Sequence, residues 1–193
     1  MNLLLPLALA LSAPTPDHVK MLPPDIDDGM TTDFLSMFRE PPLWTAEAAT
    51  GYRSRMRVTL LPNIDLLVSA RIDERNDGEL VGTAVVVRLG RGNAYSVRKR
   101  TVTHFKISHE QMAELEQLLA KAGAWKFERT HWPMEEGEIC IDGLPMIFER
   151  VTDVGYRYAE ANAVCDAPAV LTEASRLWLR VAGVQFPWSH WGG

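Results

Sequence analysis

Cysteine and histidine are scarce in this chain of 193 residues, which contains 2 cysteines and 5 histidines. No two histidines have a spacing typical of a metal site, and His109-Glu110 lacks the second histidine of the zinc-protease helix motif because that position is Ala113. No serine lies in a Gly-x-Ser-x-Gly elbow, and Gly90-x-Gly92 lacks the third glycine of a dinucleotide-binding loop. The sequence therefore predicts neither a metal nor a cofactor, and it excludes these three motif-defined classes.

Charge is missing from the first thirteen residues, which are rich in leucine and alanine. The stretch is too short to span a bilayer, and Ala10, Ser12 and Ala13 have the small-residue spacing of a signal-peptidase site. Cleavage after Ser12 is predicted, since cleavage after Ala13 would place Pro14 at the scissile bond. A buried N-terminal helix is the alternative, and the prolines of this region argue against it. Residues 1–12 are thus predicted to be a signal peptide, and the mature chain is expected to be periplasmic or secreted, without a membrane span.

The two cysteines, Cys140 and Cys165, allow a single pairing. An exported protein folds in an oxidising compartment, so an even number of cysteines predicts a disulfide. Closing this loop would stabilise the fold by roughly 3 to 4 kcal/mol on the chain-entropy model. Two buried free thiols are the alternative interpretation.

A regular succession of strand and helix patterns occupies residues 51–184, which are predicted to form one domain. Alternation of apolar and polar residues predicts four strands, and Ser108 with Gln111 forms a capping box that predicts a following helix. Three more strands and a helix ending near Gly183 complete the pattern. The predicted class is α+β, mostly antiparallel, with two packed amphipathic helices in the order ββββαβββα. One curved sheet and two separate sheets both fit this order.

The segments on either side of this domain differ from it in composition. Residues 13–50 are rich in proline and acidic residues, which predicts a poorly ordered leader. Within it, residues 31–39 are predicted to form a short helix that lies on the domain as a clasp. The tail, residues 185–193, contains Trp188 and Trp191 and has no periodic pattern. These tryptophans are candidates for aromatic contact with a sugar or a partner, and folding back onto the core is the alternative.

The central part of the chain is basic although the whole chain has a net charge of −5. Residues 51–106 contain 11 Lys and Arg against 5 Asp and Glu, whereas residues 1–50 and 107–193 are acidic. A basic sheet flanked by acidic segments is therefore expected. Because the whole protein is acidic and its export is predicted, nucleic acid is not an expected partner.

Five arginines are the candidate anion-binding residues: Arg53, Arg55, Arg57, Arg98 and Arg100. Alternate residues of a strand point to one face, so the first three are expected to share a face, and so are the last two. Such a surface suits an anionic envelope component or an acidic protein partner. The alternative is a sheet face neutralised by Asp65, Asp73 and the acidic leader.

Residues 138–184 contain four short motifs: Asp142-Gly143, Phe148-Glu149, Tyr156-Arg157-Tyr158 and Cys165-Asp166-x-Pro168 before a helix. With these motifs the stretch resembles a loosely defined group of uncharacterised bacterial exported proteins. The resemblance implies a bacterial source and a cell-envelope setting, and it implies no activity.

Two functional hypotheses follow from these patterns. The first is a non-catalytic binding or inhibitory module of the envelope, because signature catalytic motifs are missing while a charged sheet and an aromatic tail are present. The second is a small hydrolase acting on cell-wall or glycan material, with Glu149, Glu160 or His104 as acid or base. A cluster of His104 with carboxylates in a deep pocket would favour the hydrolase.

Overall fold

The structure is a computed structural model, and it describes residues 20–62, 65–90, 96–132 and 143–191. The helices are α1 (Met30–Ser36), α2 (His109–Ala122) and α3 (Ala169–Val181), with short 3₁₀ helices at Ala46–Ala49 and Trp188–Trp191. The strands are β1 (Tyr52–Leu60), β2 (Leu66–Arg75), β3 (Leu80–Leu89), β4 (Val97–Lys106), β5 (Arg129–His131), β6 (Pro145–Thr152) and β7 (Gly155–Asn162). The predicted α+β class is confirmed, and α1 is added to the two helices of the predicted order.

All described strands belong to one sheet with the order β4-β3-β2-β1-β6-β7-β5. Every neighbouring pair is antiparallel except β5 and β7, which run parallel. The sheet therefore joins both meanders through β1 and β6, which decides between the one-sheet and two-sheet alternatives. Strand β5 is not one of the predicted strands. The first of the three later predicted strands covers residues 138–141, which lie outside the described residues, as does the turn residue Asp142.

The two amphipathic helices cover one face of the sheet, which we call the helix face. Their ends follow the predicted signals: Gln111 N–H donates to Ser108 Oγ at 3.1 Å, and Gly123 takes a left-handed conformation with φ of 75°. The core on this face is formed by apolar residues of β1, β2, β6 and β7 with Leu115, Leu119 and Trp178 of the helices. In the described part of the chain, no helix has the length and apolar character needed to cross a membrane.

The opposite face is covered by residues 20–50, which we call the N-terminal segment. Its apolar residues Leu22, Leu35 and Phe38 are almost completely buried and pack on Val85 and Val87 of β3. The prediction of a poorly ordered leader is thus wrong for residues 20–50, because these side chains supply a second core. The predicted clasp is present, with α1 as its helix.

Candidate functional site

The three arginines of β1 share the face that the N-terminal segment covers, and we call them the arginine row. Arg53 lies at the open end of the strand, where its side chain is 69% exposed and pairs with Glu74 at 2.9 Å. Arg55 and Arg57 are buried. The predicted shared face is present, but most of it is inside the protein.

Arg57 is the centre of a buried polar network. Its Nε lies 2.6 Å from Glu149 Oε2, and its Nη1 donates to the carbonyl oxygen of Pro41 at 3.0 Å. Glu149 is fully buried and accepts a second hydrogen bond from the Tyr156 hydroxyl at 3.0 Å. Burial, followed by the charge of Glu149, raises the pKa of Tyr156 well above its ordinary value. Tyr156 therefore remains a neutral donor to the carboxylate.

Strand register accounts for this pairing, since Arg57 stands directly opposite Glu149 across the β1–β6 ladder. The two residues are 92 positions apart in the sequence. Among the described residues, Arg57 Nη2 has no hydrogen-bond partner, although its other two nitrogens are bonded. The arginine's charge is nevertheless matched inside the fold by the carboxylate beside it.

Arg55 belongs to a second network that also reaches the N-terminal segment. Its Nε lies 2.8 Å from Asp73 Oδ1, its Nη1 donates to Ala48 O at 3.1 Å, and its Cζ lies 4.4 Å from the centre of the Tyr52 ring. Asp73 also accepts from Arg71 Nε at 3.0 Å. For Arg55, this geometry therefore supports the alternative interpretation, in which Asp73 neutralises the arginine.

The N-terminal segment is held by arginines of several strands. Arg71 on β2 pairs with the Glu40 carboxylate, and Arg100 Nε on β4 donates to Phe38 O at 2.8 Å. Together with the contacts of Arg55 and Arg57, these bonds fix residues 38–48 to the sheet. The prediction that the arginine row forms an anion-binding surface is therefore corrected. Only Arg53 is open to solvent, because the N-terminal segment covers Arg55 and Arg57.

Strand β4 carries several exposed basic residues close together in the sequence. Arg98 and Lys99 are exposed, as are His104 and Lys106, while Arg100 is half-buried. Strand β4 lies at the end of the sheet and pairs only with β3 among the described strands. Of the five candidate arginines, Arg98 and Arg100 thus lie on the accessible edge of the molecule.

The three candidate acid–base residues are not brought together. Three strands separate β4, which carries His104, from β6, which carries Glu149. At the usual strand spacing these two strands lie roughly 19 Å apart. Glu160 accepts from the Tyr158 hydroxyl at 2.7 Å, and burial, followed by the charge of Glu160, raises the pKa of Tyr158 above its ordinary value.

A groove lies elsewhere, between α2 and α3, with a volume of about 600 Å³. Glu114, Glu173, Arg176 and Arg180 are its charged lining residues. None of the three acid–base candidates lines this groove. Within the described part of the chain, no cluster of three histidine, cysteine or acidic side chains has a geometry that could hold a metal ion.

The aromatic tail lies partly on the helix face. Trp188 is half-buried against the core, its ring centre is 4.8 Å from that of Phe186, and Arg176 Cζ lies 5.3 Å from the centre of the Trp188 ring. For Trp188, these contacts support the alternative interpretation, in which the tail folds back onto the core. The Trp191 side chain lies outside the described residues, so its predicted contact role stays a prediction.

The predicted Cys140–Cys165 disulfide also stays a prediction, because Cys140 lies outside the described residues. Cys165 lies in the turn between β7 and α3, where its N–H donates to Asn162 O at 3.2 Å. This turn is the place from which the predicted bridge would hold the start of α3.

Comparisons of the chain with protein families, with curated proteins and with solved structures found no match. The arrangement of the site therefore carries the functional argument. Sequence reasoning missed the roles of Glu40 and Tyr156 as partners of the buried arginine networks. For Glu40 the available signal was the excess of acidic residues in residues 13–50, which does not indicate which arginine each of them pairs with.

Proposed function

We propose that this protein is a non-catalytic binding module, exported to the periplasm or the exterior of a bacterial cell, that binds an anionic partner through β4. One observation carries the proposal: an edge strand of ten residues bears Arg98, Lys99, Arg100, His104 and Lys106 and no acidic residue. On β1 and β2, by contrast, Arg53, Arg55, Arg57 and Arg71 each pair with a carboxylate. Strand β4 has no such carboxylate of its own.

The contrast between the arginine row and β4 supports this assignment. The charge of Arg57 is matched by Glu149 and that of Arg55 by Asp73, so these residues contribute little field outside the protein. On β4, Arg98, Lys99 and Lys106 are exposed to solvent. Exposed charges of one sign on one strand attract an anionic partner and steer its approach.

The positions of the acid–base candidates favour binding over hydrolysis. Glu149 is fully buried beneath the N-terminal segment and paired with Arg57, so a glycan would not reach it. Glu160 is engaged by Tyr158. Glycoside hydrolysis usually needs two carboxylates on either side of an accessible bond, and Glu149 is not accessible.

The test measures binding of the mature chain to two probes, poly-L-glutamate and the anionic polysaccharide alginate. We expect binding that declines as salt rises above about 0.1 M, where the screening length is about 10 Å. The variant R98Q/K99Q/K106Q should lose most of this binding. The control R53Q/R75Q/K121Q removes the same charge from exposed positions outside β4 and should retain it. Equal loss in both variants, or no binding to either probe, would overturn the proposal.

Export is part of the proposal and rests on the uncharged first thirteen residues. Expression of the full chain in a bacterium, followed by fractionation and intact-mass measurement, tests it. We expect a periplasmic or secreted product that starts at Ala13. A full-length product retained in the cytoplasm would refute this part and leave the binding assay unaffected.

A further inference from the structure

The outer edge of β4 combines its basic residues with a long strand and exposed valines. This strand spans ten residues, Val97–Lys106, whereas the strand at the other end of the sheet, β5, spans three. Val97 and Val102 are 46% and 41% exposed. Among the described residues, the outer side of β4 has no neighbouring strand. A long strand with exposed β-branched residues is a template for pairing with another strand.

The ladder determines which backbone groups of β4 face outward. Leu89 N–H donates to Asp65 O on the β2 side at 2.9 Å, whereas Gly90 N–H donates to Ser96 O on the β4 side at 2.8 Å. In an antiparallel ladder, successive residues bond to opposite neighbours. The even-numbered residues of β3 therefore bond to β4.

The register between β3 and β4 then shows which residues of β4 bond to β3. Ala84 of β3 stands opposite Thr103, so Thr103 bonds inward to β3. Its neighbours Val102 and His104 consequently direct their N–H and C=O groups outward, and so does Arg100. The outward N–H and C=O groups of Arg100, Val102 and His104 are the groups to which an added strand would bond.

The positive charge of β4 indicates which kind of strand could pair with its outer edge. Two copies of β4 paired with each other would bring eight Lys and Arg residues together, since each carries Arg98, Lys99, Arg100 and Lys106. Like charges on adjacent strands destabilise their pairing. A strand rich in glutamate or aspartate would instead place opposite charges side by side. The same residues thus disfavour a second copy and favour an acidic segment.

We propose that β4 accepts an extended acidic segment of a partner protein as an eighth strand of the sheet. In this mode of recognition, backbone hydrogen bonds supply affinity and side chains supply selectivity. The inference rests on the proposed function, because it names the kind of partner and the way in which β4 holds it. Binding through side-chain charges alone, as expected for an anionic polysaccharide, is the competing outcome.

Val102 provides a substitution that separates the two modes. Its N–H points away from β3, so V102P removes an outward donor without removing a hydrogen bond of the β3–β4 ladder, and proline is tolerated on edge strands. The matched control V102A removes most of the same side chain and keeps the N–H. Neither variant changes the charge of β4.

The probe is a ten-residue peptide with blocked ends in which glutamate alternates with valine and threonine. We expect V102P to weaken its binding about tenfold or more, since net loss of one or two hydrogen bonds has about that effect. V102A should stay within about threefold of the wild type on the same reasoning, because its backbone bonds remain. A peptide with lysine in place of glutamate should not bind.

A second measurement on the wild-type protein covers the case in which V102P fails to fold. Methylating alternate backbone nitrogens of the glutamate peptide keeps its charge and removes one row of donors. We expect the peptide methylated on the edge-facing nitrogens to lose binding, and the peptide methylated on the other set to keep it. Equal binding of the two methylated peptides would overturn strand addition.

The remaining outcomes are distinguishable. If V102P and V102A bind the glutamate peptide equally and R98Q/K99Q/K106Q does not bind, strand addition is wrong and the proposed charge-based function stands. If all of these variants bind as the wild type does, both proposals fail. If the protein without peptide is a dimer in sedimentation and V102P is a monomer, a second copy occupies the edge and the acidic partner is refuted.

Discussion

At the residue scale, the Arg57–Glu149 pair illustrates how buried charges are accommodated. Arg57 is 1% exposed and Glu149 is fully buried. Removing two charges from water is costly, and their attraction compensates only when further hydrogen bonds complete the network. Pro41 O and the Tyr156 hydroxyl supply two such bonds here, while Arg57 Nη2 has no partner among the described residues. The network therefore ties β1 and β6 to the N-terminal segment.

Breaking this pair is predicted to be strongly destabilising. R57M should lower the free energy of unfolding by about 3 to 5 kcal/mol, because the buried Glu149 would lose its charged partner. Urea denaturation measures the change. R53M is the matched control and should cost under about 1 kcal/mol, since exposed ion pairs contribute little. The double variant R57M/E149L should recover part of the loss, and similar costs for R57M and R53M would contradict the assignment.

The phenol groups of Tyr156 and Tyr158 predict a fall in stability at alkaline pH. Burial raises the pKa of both Tyr156 and Tyr158, so the folded state retains phenol protons that the unfolded chain releases above about pH 10. Their stabilising contribution is therefore complete below pH 10 and declines as the pH rises further.

Urea unfolding between pH 8 and pH 11 measures this dependence. The double variant Y156F/Y158F should show a flatter decline than the wild type above pH 10, whereas Y52F keeps both buried phenols and should match the wild type. Ionisation of Tyr156 or Tyr158 near pH 10 in a protein that is still folded, seen by ultraviolet difference spectroscopy, would argue against their burial.

At the element scale, the N-terminal segment is a structural layer of the domain. Its apolar residues complete the second core, and its backbone carbonyl groups accept hydrogen bonds from arginines of β1 and β4. Composition alone suggested disorder because proline and acidic residues dominate this stretch. The few apolar residues suffice because the sheet face beneath them is itself apolar at Val85 and Val87.

Phe38 tests the role of this layer. F38A should lower the free energy of unfolding by about 3 to 5 kcal/mol, the usual cost of replacing a buried phenylalanine with alanine. The matched control is F127A, since Phe127 is 58% exposed and its loss should have a small effect. Chemical denaturation of both variants measures the difference. Equal stability of the two would show that the segment does not contribute a core.

At the scale of the whole molecule, export and the disulfide are linked predictions. Protein purified from the periplasm should contain a Cys140–Cys165 bridge, because that compartment is oxidising. Mass spectrometry without reductant should detect the linked peptides and no free thiol. Reduction should lower the free energy of unfolding by roughly 3 to 4 kcal/mol on the chain-entropy model. Two free thiols in the periplasmic protein would refute the prediction.

Much of the fold was predictable because its signals are local. The alternation that begins at Tyr52, the capping box of Ser108 with Gln111 and the glycine that ends α2 each act over a few residues. They located the first four strands and both long helices. Strand β5 was missed, since three residues are too short for a periodic pattern, and it is held by parallel pairing with β7.

The candidate site was predictable only in part, for a physical reason. Alternation placed Arg53, Arg55 and Arg57 on one face, and this is a local property of a strand. Whether that face meets solvent depends on which segments pack against it. Such segments can be distant in the sequence, since Glu149 is 92 positions away from its partner Arg57. The sequence by itself determined the long strands and helices, the face to which each strand residue points and the basic character of β4. Tertiary structure alone decided that Arg57 is buried and β4 is the edge, because burial and strand order arise from contacts between distant segments.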